Sequence, residues 1–429
     1  MLDIKLIREK PEEVRKNLEK RNDPEVLKLL DEVISLDKKW RIHINELNTL
    51  RKKRNEISIE ISKRKKEGKD VEDLMKEARK ISEKIKRLED DVKREEERRN
   101  YTLMRLPNLL HPTVPIGKDE NDNVVIRKWG EIPKFDFTPK DHQDLGLSLG
   151  ILDIKRAAKV AGSRFYYLKG ALVDLNLALI KYALDFIKKR GFQIFQTPYM
   201  LRRKVVESAT SFEDFENSIY KVEGEDLYLV PTAEHSLLGY HMNEILEEKD
   251  LPLLYAGITP CFRKEAGAHG RDTKGIFRVH QFEKVEQFVF CKPEESWEWH
   301  EKLLKNAEEF FQSLGIPYRV VNICTGDIGT VAAKKYDIEA WLPGQGKYRE
   351  VVSCSNCTDY QARRANIRFR DRNNQIRYVH TLNSTLVATT RAIIAIMENY
   401  QQHDGSILIP EVLRPYLNGA EKITKDGLV

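Results

Sequence analysis

The sequence predicts an α+β protein made of an amino-terminal antiparallel two-helix coiled-coil arm, followed by a mostly antiparallel sheet flanked by helices. Three observations predict this. Apolar residues three and four apart dominate the first hundred residues, as in a heptad repeat. Three prolines and a glycine in PNLLHPTVPIG, residues 107–117, then end the helical pattern. The later β-type segments are short and do not alternate regularly with helices. We therefore expect domains at 1–112 and 113–429.

The composition is that of a globular protein. The chain has 429 residues, enough for two or more domains with a sizeable core. Its net charge of +6 permits a nucleic-acid partner without requiring one. The chain has five cysteines and no amino-terminal apolar run like a signal peptide or membrane span. These features predict a reducing, cytoplasmic setting and no membrane partner.

Two apolar seams predict the arm. After a break centred on Gly68, the stepping of the first seam resumes at Val71 and continues to Val92. We expect the two seams to pair as a hairpin over about residues 26–100 that extends into solvent. The first seam contains Val26, Leu29, Val33, Leu36, Trp40, Leu47, Leu50, Ile57 and Ile61, with His43 and Arg54 as its polar members.

The tip of this hairpin is basic. A projecting arm with a positive tip suits a phosphate backbone. Taken alone, charge-rich heptads more often form a solvated coiled-coil surface or an oligomerisation stem. The basic residues proposed to bind nucleic acid are Arg51, Lys52, Lys53, Arg54, Lys63, Arg64, Lys65 and Lys66.

The second domain opens with a helix and a strand. The segment ALVDLNLALIKYALDFIKKRG has apolar residues at helical spacing, basic residues in its last turn and Gly191 as terminator. FQIFQTP then predicts a strand that Pro198 closes.

A charged strand pair is the first candidate site. Residues 261–265 and 277–286 are predicted to pair as antiparallel strands, joined by a loop with Gly267, Gly270 and Gly275 that is too long for a tight hairpin. Loops of this length are often functional.

Five side chains would share one face of that pair. In a strand, residues two and four apart point the same way. The face would combine guanidinium groups for phosphate, a ring that stacks on a base and carboxylates for an amine. For any two of them, an exposed face with cross-strand ion pairs is the default interpretation. The five residues are Arg263, Glu265, Arg278, Phe282 and Glu286.

The segment FRKEAG followed by GRDTKGIFRVHQFEKVEQF resembles motif 2 of the class II aminoacyl-tRNA synthetases, and in its details the seryl-tRNA synthetases of the archaeal and eukaryotic cytosolic branch. GFQIFQTP resembles motif 1, and TLNSTLVATTRAIIAIMENY resembles motif 3. The resemblance covers nearly the whole chain and implies a class II catalytic domain after the arm.

The resemblance implies an ATP site. Arg263 would contact the α-phosphate, Glu265 the adenine amino group and Phe282 the adenine face, while Arg278 and Arg391 would take the terminal phosphates. Arg263 and Arg391 would be the catalytic residues. The complete set is Arg263, Lys264, Glu265, Arg278, Val279, Phe282, Glu350, Val351, Val352, Ser353 and Arg391.

A serine pocket is implied in the same way. The segment LYLVPTAEH resembles the family's serine-binding loop, although TAE alone fits an ordinary surface turn. A small hydroxyl-bearing amino acid needs a carboxylate for its ammonium and polar groups for its hydroxyl. The implied residues are Thr232, Ala233, Glu234, Glu286, Asn383 and Thr385.

A magnesium site is implied at Glu350 and Ser353, whose oxygens suit Mg²⁺. Strict strand alternation puts positions three apart on opposite faces, so a bulge or strand end is required there. Cys354 and Cys357 form a CxxC without a second pair at zinc-finger spacing, so we expect buried thiols and no zinc. We expect His280 to be structural.

The implied function is that of a serine–tRNA ligase. It would form seryl-adenylate from L-serine and ATP and transfer the seryl group to the 3′ end of tRNA(Ser), and of tRNA(Sec) where present. The resemblance implies a homodimer whose arm clasps the long variable arm of the tRNA. The threonyl, prolyl, glycyl and histidyl relatives usually append an anticodon-binding domain, for which the about 40 residues after Arg391 are too few.

Two other functions compete. A ligase that loads an amino acid onto a carrier protein typically lacks a full tRNA arm. A catalytically silent RNA-binding protein would not need Arg263, Glu265, Glu286 and Arg391.

Overall fold

The computed structural model describes residues 1–211, 218–265 and 274–429. The chain divides into two compact units, Met1–Pro107 and Asn108–Val429. The sequence had placed this boundary near residue 112. The predicted loop residues Gly267 and Gly270 lie outside the described residues.

The first unit is helical. It contains α1 (Ile4–Glu9), α2 (Pro11–Glu19), α3 (Pro24–Lys66) and α4 (Glu72–Arg105). Asp23 caps α3, because its side chain accepts a hydrogen bond from the Glu25 N–H. Gly68 turns the chain between α3 and α4 with a φ of +68°, a conformation that glycine adopts without strain.

Helices α3 and α4 form the predicted antiparallel hairpin. Glu32 pairs with Arg98, and Lys53 pairs with Glu77. Residue numbers therefore rise along α3 while those of their partners fall along α4, as in an antiparallel pair. The polar seam residue His43 meets Glu95 of α4, with 2.9 Å between Nδ1 and Oε2. The buried apolar seam of the distal half comprises Leu47, Ile57, Ile81, Ile85, Leu88 and Val92.

Near its base the seam differs from the prediction. The buried residues there include Leu30 and Asp37, whereas Leu29 and Leu36 are only partly buried. The short helix α2 packs against α3 in this region, which widens the buried face beyond a two-helix seam. The Asp37 carboxylate accepts hydrogen bonds from Arg8 Nε and Nη2 at 2.7 and 2.6 Å, and this pairing makes its burial tolerable.

The second unit is built on an eight-stranded sheet with the order β1-β5-β6-β7-β8-β4-β3-β2. Only the β2–β3 pair is parallel among these described strands. The predicted mostly antiparallel sheet is therefore confirmed. The strands are β1 (Val124–Trp129), β2 (Gln193–Gln196), β3 (Leu253–Phe262), β4 (Gln281–Cys291), β5 (Tyr318–Asn322), β6 (Lys334–Leu342), β7 (Lys347–Asn356) and β8 (His380–Ala388).

Helices cover both faces of the sheet. Val285 and Val289 of β4 join the large core with α7, α10 and α12, whereas Phe288 and Phe290 join a second cluster with α9 and α11. The helices are α5 (His142–Ser148), α6 (Ile154–Ala161), α7 (Ala171–Lys188), α8 (Arg203–Ala209), α9 (Ala233–Tyr240), α10 (Ser296–Ser313), α11 (Tyr360–Ala365) and α12 (Thr389–Asn399).

Smaller elements complete the unit. No helix in the described ranges is long and apolar enough to cross a membrane. The 3₁₀ helices are Glu120–Asp122, Glu248–Asp250, Pro293–Glu295 and Glu411–Leu417. The short strands are Leu152–Asp153, Tyr167–Leu168, Met200–Leu201, Tyr228–Leu229, Ile245–Glu247, Arg368–Arg370, Ile376–Tyr378, Ile407–Leu408, Lys422–Thr424 and Gly427–Leu428.

Candidate active site

A cavity of about 430 Å³ brings most of the predicted site residues together. It lies over the central strands β4, β7 and β8, beside the start of α9 and the start of α12. The predicted residues that line it are Thr232, Glu234, Arg263, Phe282, Glu286, Glu350, Val351, Ser353, Asn383, Thr385 and Arg391.

The charged strand pair exists, but its predicted bounds are wrong. Strand β3 ends at Phe262 and β4 begins at Gln281, so Arg263, Glu265 and Arg278 lie beyond the strand ends. Glu265 has a φ of +50°, which is incompatible with a continuing strand. Phe282 and Glu286 do share one strand face, whereas the predicted five-residue face does not form.

Arg263 reaches the cavity from this strand end. Its backbone N–H donates to the His280 carbonyl at 3.0 Å, and its Nε donates to the Pro231 carbonyl at 3.3 Å. The guanidinium carbon lies 5.4 Å from the centre of the Phe282 ring. His280 Nδ1 lies 2.9 Å from the Arg263 carbonyl oxygen and 2.8 Å from the Tyr220 hydroxyl, so His280 fixes the backbone that carries Arg263.

At one end of the cavity, Thr232 and Glu234 open α9. The Thr232 hydroxyl accepts a hydrogen bond from the Glu234 N–H at 3.3 Å and caps the helix. Gln361 of α11 donates from Nε2 to Glu234 Oε1 at 2.6 Å. Burial, followed by the negative charge of Glu286, raises the pKa of Glu234 to about 7.

Gly257 allows this loop to approach the sheet. A Cβ atom at Gly257 would lie 2.7 Å from Ala233 Cβ, closer than real side chains approach. Gly257 pairs with Glu286 across the β3–β4 ladder, so the close approach sets the start of α9 directly beside the Glu286 position. Sequence inspection did not identify Gly257.

Strand β4 lines the floor with Phe282, Lys284 and Glu286, which alternation places on one face. The Thr385 hydroxyl of β8 donates to Glu286 Oε2 at 3.4 Å. Lys284 forms an ion pair with Glu286, and the two side chains are 7% and 2% exposed. Lys284 was missed in the sequence although it lies at the two-residue step between the two predicted residues.

At the other end, a β-bulge aims Glu350 and Ser353 into the same cavity. Ile338 and Glu339 of β6 pair with Val352 and Glu350, so Val351 has no partner of its own. Of the two alternatives that the spacing left open, a bulge or a strand end, the bulge is the one present.

Arg391 lies beside Glu350, in the first turn of α12. Its Nη1 lies 3.0 Å from Glu350 Oε1 and donates to the Glu350 carbonyl at 3.1 Å. Burial acts to raise the pKa of Glu350, but the Arg391 guanidinium and the Lys335 ammonium outweigh it and hold the pKa below its ordinary value.

Several other lining residues were not predicted. Lys335 lines the cavity, and its Nζ lies 3.5 Å from Asp337 Oδ2. Burial and the charge of Glu350 raise the pKa of Asp337, whereas Lys335 opposes that shift. Burial, with Arg263 and Lys284 adding to it, lowers the pKa of His235 to about 3, so this imidazole is neutral. The segment between β5 and β6 contributes Ile328, Gly329, Thr330, Val331 and Ala332.

The remaining predicted residues do not line the cavity in the described part of the chain. Ala233 and Val279 are buried, and Val352 belongs to the core cluster behind the sheet. Arg278 Nη1 lies 3.9 Å from Glu265 Oε2, so these two residues meet each other near the strand ends. The residues in question are Ala233, Lys264, Glu265, Arg278, Val279 and Val352.

The cysteines are buried free thiols, as predicted for the CxxC pair. Cys357 also lines the cavity, and Asn383 Nδ2 lies 3.7 Å from its sulfur. Burial raises the pKa of the Cys357 thiol well above its ordinary value, which keeps it unreactive.

Two family models match the chain. Residues 1–110 match the model described as seryl-tRNA synthetase N-terminal domain, and residues 217–400 match the tRNA synthetase class II core domain (G, H, P, S and T).

Similar proteins cover almost the full length. The chain is 60% identical to the serine–tRNA ligase of Pyrococcus horikoshii, over 97% of this chain and 96% of the relative. The crystal structure of the Pyrococcus horikoshii seryl-tRNA synthetase complexed with ATP superimposes with a TM-score of 0.95, at 59% identity and covering 99% of each chain. The cytoplasmic serine–tRNA ligase of Naegleria fowleri in complex with AMP gives a TM-score of 0.88 at 41% identity, with 99% of each chain covered.

Proposed function

This chain belongs to the seryl-tRNA synthetases of class II, and on that premise we propose that it is a serine–tRNA ligase that joins L-serine to tRNA(Ser) at the expense of ATP. The observation that carries the proposal is the distribution of charge in the cavity. The carboxylates of Glu234 and Glu286 line the cavity close enough for the charge of one to shift the pKa of the other, and the guanidinium groups of Arg263, over Phe282, and Arg391, beside Glu350, line the same cavity. An amino acid and a triphosphate need opposite charges of this kind.

The serine end is assigned to the residues around β4 and α9. Glu286 and Glu234 would bind the ammonium of serine. The Thr385 hydroxyl donates to Glu286, and the small hydroxyl of the substrate could take the place of this hydrogen bond. Thr232 and Asn383 complete a polar lining, with Ala233 buried beneath the loop. A polar lining of this kind rejects amino acids without a hydroxyl, because its own groups would be left unpaired.

The ATP end is assigned to Phe282, Arg263 and Arg391. Phe282 offers a flat apolar face for adenine, and Arg263 lies 5.4 Å above that ring, where it can reach the α-phosphate. Arg391, near the amino terminus of α12, would hold the terminal phosphates. Lys264, Glu265, Arg278 and Val279 are proposed to join the nucleotide from the strand ends, and Val351 and Val352 from β7.

The residues at this end fit a magnesium ion. Glu350 and Ser353 present oxygen atoms to one cavity, and hard oxygen donors are what Mg²⁺ requires. Asp337 lies near them with a buried Oδ1 that has no hydrogen-bond partner among the described residues. Glu350 and Ser353 would hold the ion, which when bound supplies charge neutralisation for the phosphates.

The reaction follows from this arrangement in two steps. The serine carboxylate attacks the α-phosphorus of ATP in line, and pyrophosphate leaves as seryl-adenylate forms. The 3′-terminal ribose hydroxyl of the tRNA then attacks the seryl carbonyl, and AMP leaves. Arg263 and Arg391 stabilise the charge that develops on the phosphate, and no side chain of the protein needs to act as a nucleophile.

The arm is proposed to bind the long variable arm of tRNA(Ser), and of tRNA(Sec) where present. Its tip has both paired and unpaired basic residues. Arg51, Lys53 and Arg64 form ion pairs with glutamates of the arm. Within the described ranges no ion pair involves the remaining basic residues, which makes them the stronger candidates for phosphate contacts. These are Lys52, Arg54, Lys63, Lys65 and Lys66.

A homodimer is proposed from the family and from one exposed face. Val173 and Leu177 of α7 are 40% and 58% exposed, and among the strands that the structure describes the adjacent β2 has a sheet neighbour on one side only. A second copy would cover this face. The proposed compartment is the cytoplasm, which suits five free thiols.

The decisive experiment separates adenylate formation from tRNA charging. Wild-type protein should catalyse serine-dependent exchange of pyrophosphate into ATP, whereas Glu286→Ala should abolish exchange while retaining the helical circular dichroism signal. Removing residues 40–90 should preserve exchange and weaken charging at limiting tRNA. Exchange without any charging would favour the carrier-protein ligase, and neither activity would favour a silent RNA-binding protein.

A further inference from the structure

Lys284 is a buried cation in the cavity that the proposed reaction does not yet use. Its side chain is 7% exposed, and it lies between Phe282 and Glu286 on the inward face of β4. Inward-facing positions on a strand follow each other at about 7 Å. Lys284 therefore stands between the ring assigned to adenine and the carboxylate assigned to the serine ammonium.

Lys284 is paired with Glu286, the carboxylate that the substrate ammonium is proposed to bind. Its Nζ forms an ion pair with Glu286 Oε2, and Glu286 is itself 2% exposed. An incoming amino acid brings its own ammonium to Glu286. If Lys284 kept its present contact, Lys284 and the substrate ammonium would compete for the Glu286 carboxylate in a buried site, which is unfavourable.

The charges balance if the partners are exchanged. An amino acid carries one positive and one negative group, so its ammonium can take Glu286 while its carboxylate takes Lys284. Lys284, Glu286 and both charges of the amino acid then each have an opposite partner. The same exchange brings the substrate carboxylate towards Arg263 and Phe282, which is the direction of the α-phosphate that it must attack.

We propose that Lys284 binds the carboxylate of the amino-acid substrate and releases Glu286 to the substrate ammonium. This proposal rests on the proposed function, since it assigns one further contact within the same site. The competing interpretation is that Lys284 only neutralises Glu286, in which case it would contribute equally to ligands with and without a carboxylate.

The test compares L-serine with L-serinamide, which keeps the ammonium and the hydroxyl but lacks the carboxylate. Isothermal titration calorimetry on the full-length protein would give both dissociation constants. In Lys284→Met, serine should bind about 10- to 100-fold more weakly, as expected for one lost charge-assisted contact, while serinamide binding is unchanged or tighter. Lys284→Arg should retain most of the preference for serine. Equal weakening of the two ligands would overturn the proposal.

Lys284→Met leaves Glu286 buried without its partner and could lose binding through misfolding. Two further variants control for this effect. Glu286→Gln should weaken both ligands and keep the preference for serine, and the double variant Lys284→Met with Glu286→Gln should lose that preference. If the double variant keeps it, Lys284 is not the carboxylate contact. Absence of serine binding by the wild-type protein would instead refute the proposed function.

Discussion

The pH dependence of serine binding should be set by Glu234. Its carboxyl has a pKa of about 7 in the folded protein against 4.5 ordinarily, first because of burial and second because of the Glu286 charge. At about 1.4 kcal/mol per pH unit, this difference corresponds to about 3 kcal/mol. The folded pKa lies above the unfolded one, so the carboxyl costs no stability below pH 4.5 and destabilises the unliganded fold as the pH rises to about 7.

Bound serine should offset the destabilisation caused by ionised Glu234, because the serine ammonium favours the ionised carboxylate. If serine binds only when Glu234 is ionised, about one-tenth of the protein molecules can bind it at pH 6 and about nine-tenths at pH 8. Serine affinity should therefore rise about tenfold over this range. Calorimetry in two buffers with different ionisation enthalpies should count about one proton released per serine at pH 6.

The control variant is Glu234→Gln, which should bind serine with a nearly flat pH profile and release no proton. His235, with its pKa lowered to about 3, does not titrate in this range. Equal serine affinity at pH 6 and pH 8 in the wild-type protein, with no proton release, would refute the assignment of Glu234 to the ammonium.

Three other predictions follow from single contacts. Ile85→Ala, at a position 4% exposed in the arm seam, should reduce the free energy of unfolding of the arm by about 2–4 kcal/mol in urea titrations followed by circular dichroism, whereas Ile59→Ala at 70% exposure should change little. Gly257→Ala should displace the start of α9 at Ala233 and raise the KM for serine more than that for ATP in exchange assays; an equal rise in both would contradict this. Asp337→Asn should raise the Mn²⁺ concentration needed for half-saturation in the presence of ATP, measured by electron paramagnetic resonance, and an unchanged titration would exclude Asp337 from the metal's surroundings.

The elements that could be predicted are those whose signals are local. The α7 helix ends before Gly191, whose φ of +84° suits glycine, and strand β2 follows as FQIFQTP indicates. The segment TLNSTLVATTRAIIAIMENY supplies most of β8 and then α12, with Arg391 in the first turn of the helix. The three-residue spacing of Glu350 and Ser353 required a bulge or a strand end, and the structure has a bulge at Val351.

The features that were missed depend on distant contacts. Nothing in the sequence pairs Gln361 with Glu234, since 127 positions separate them. The left-handed conformation of Glu265 ended a strand that its neighbours favoured. Lys284 lies at the two-residue step of β4 between Phe282 and Glu286, but the predicted set followed this strand at four-residue steps and omitted it.

The measurement that tests the central claim most directly is the transfer of labelled serine to bulk tRNA by the purified protein with ATP and Mg²⁺, with threonine and glycine run alongside. Charging with serine alone, lost in Glu286→Ala, is the predicted result. Charging with threonine or glycine in place of serine, or no charging with any of the three, would contradict the assignment.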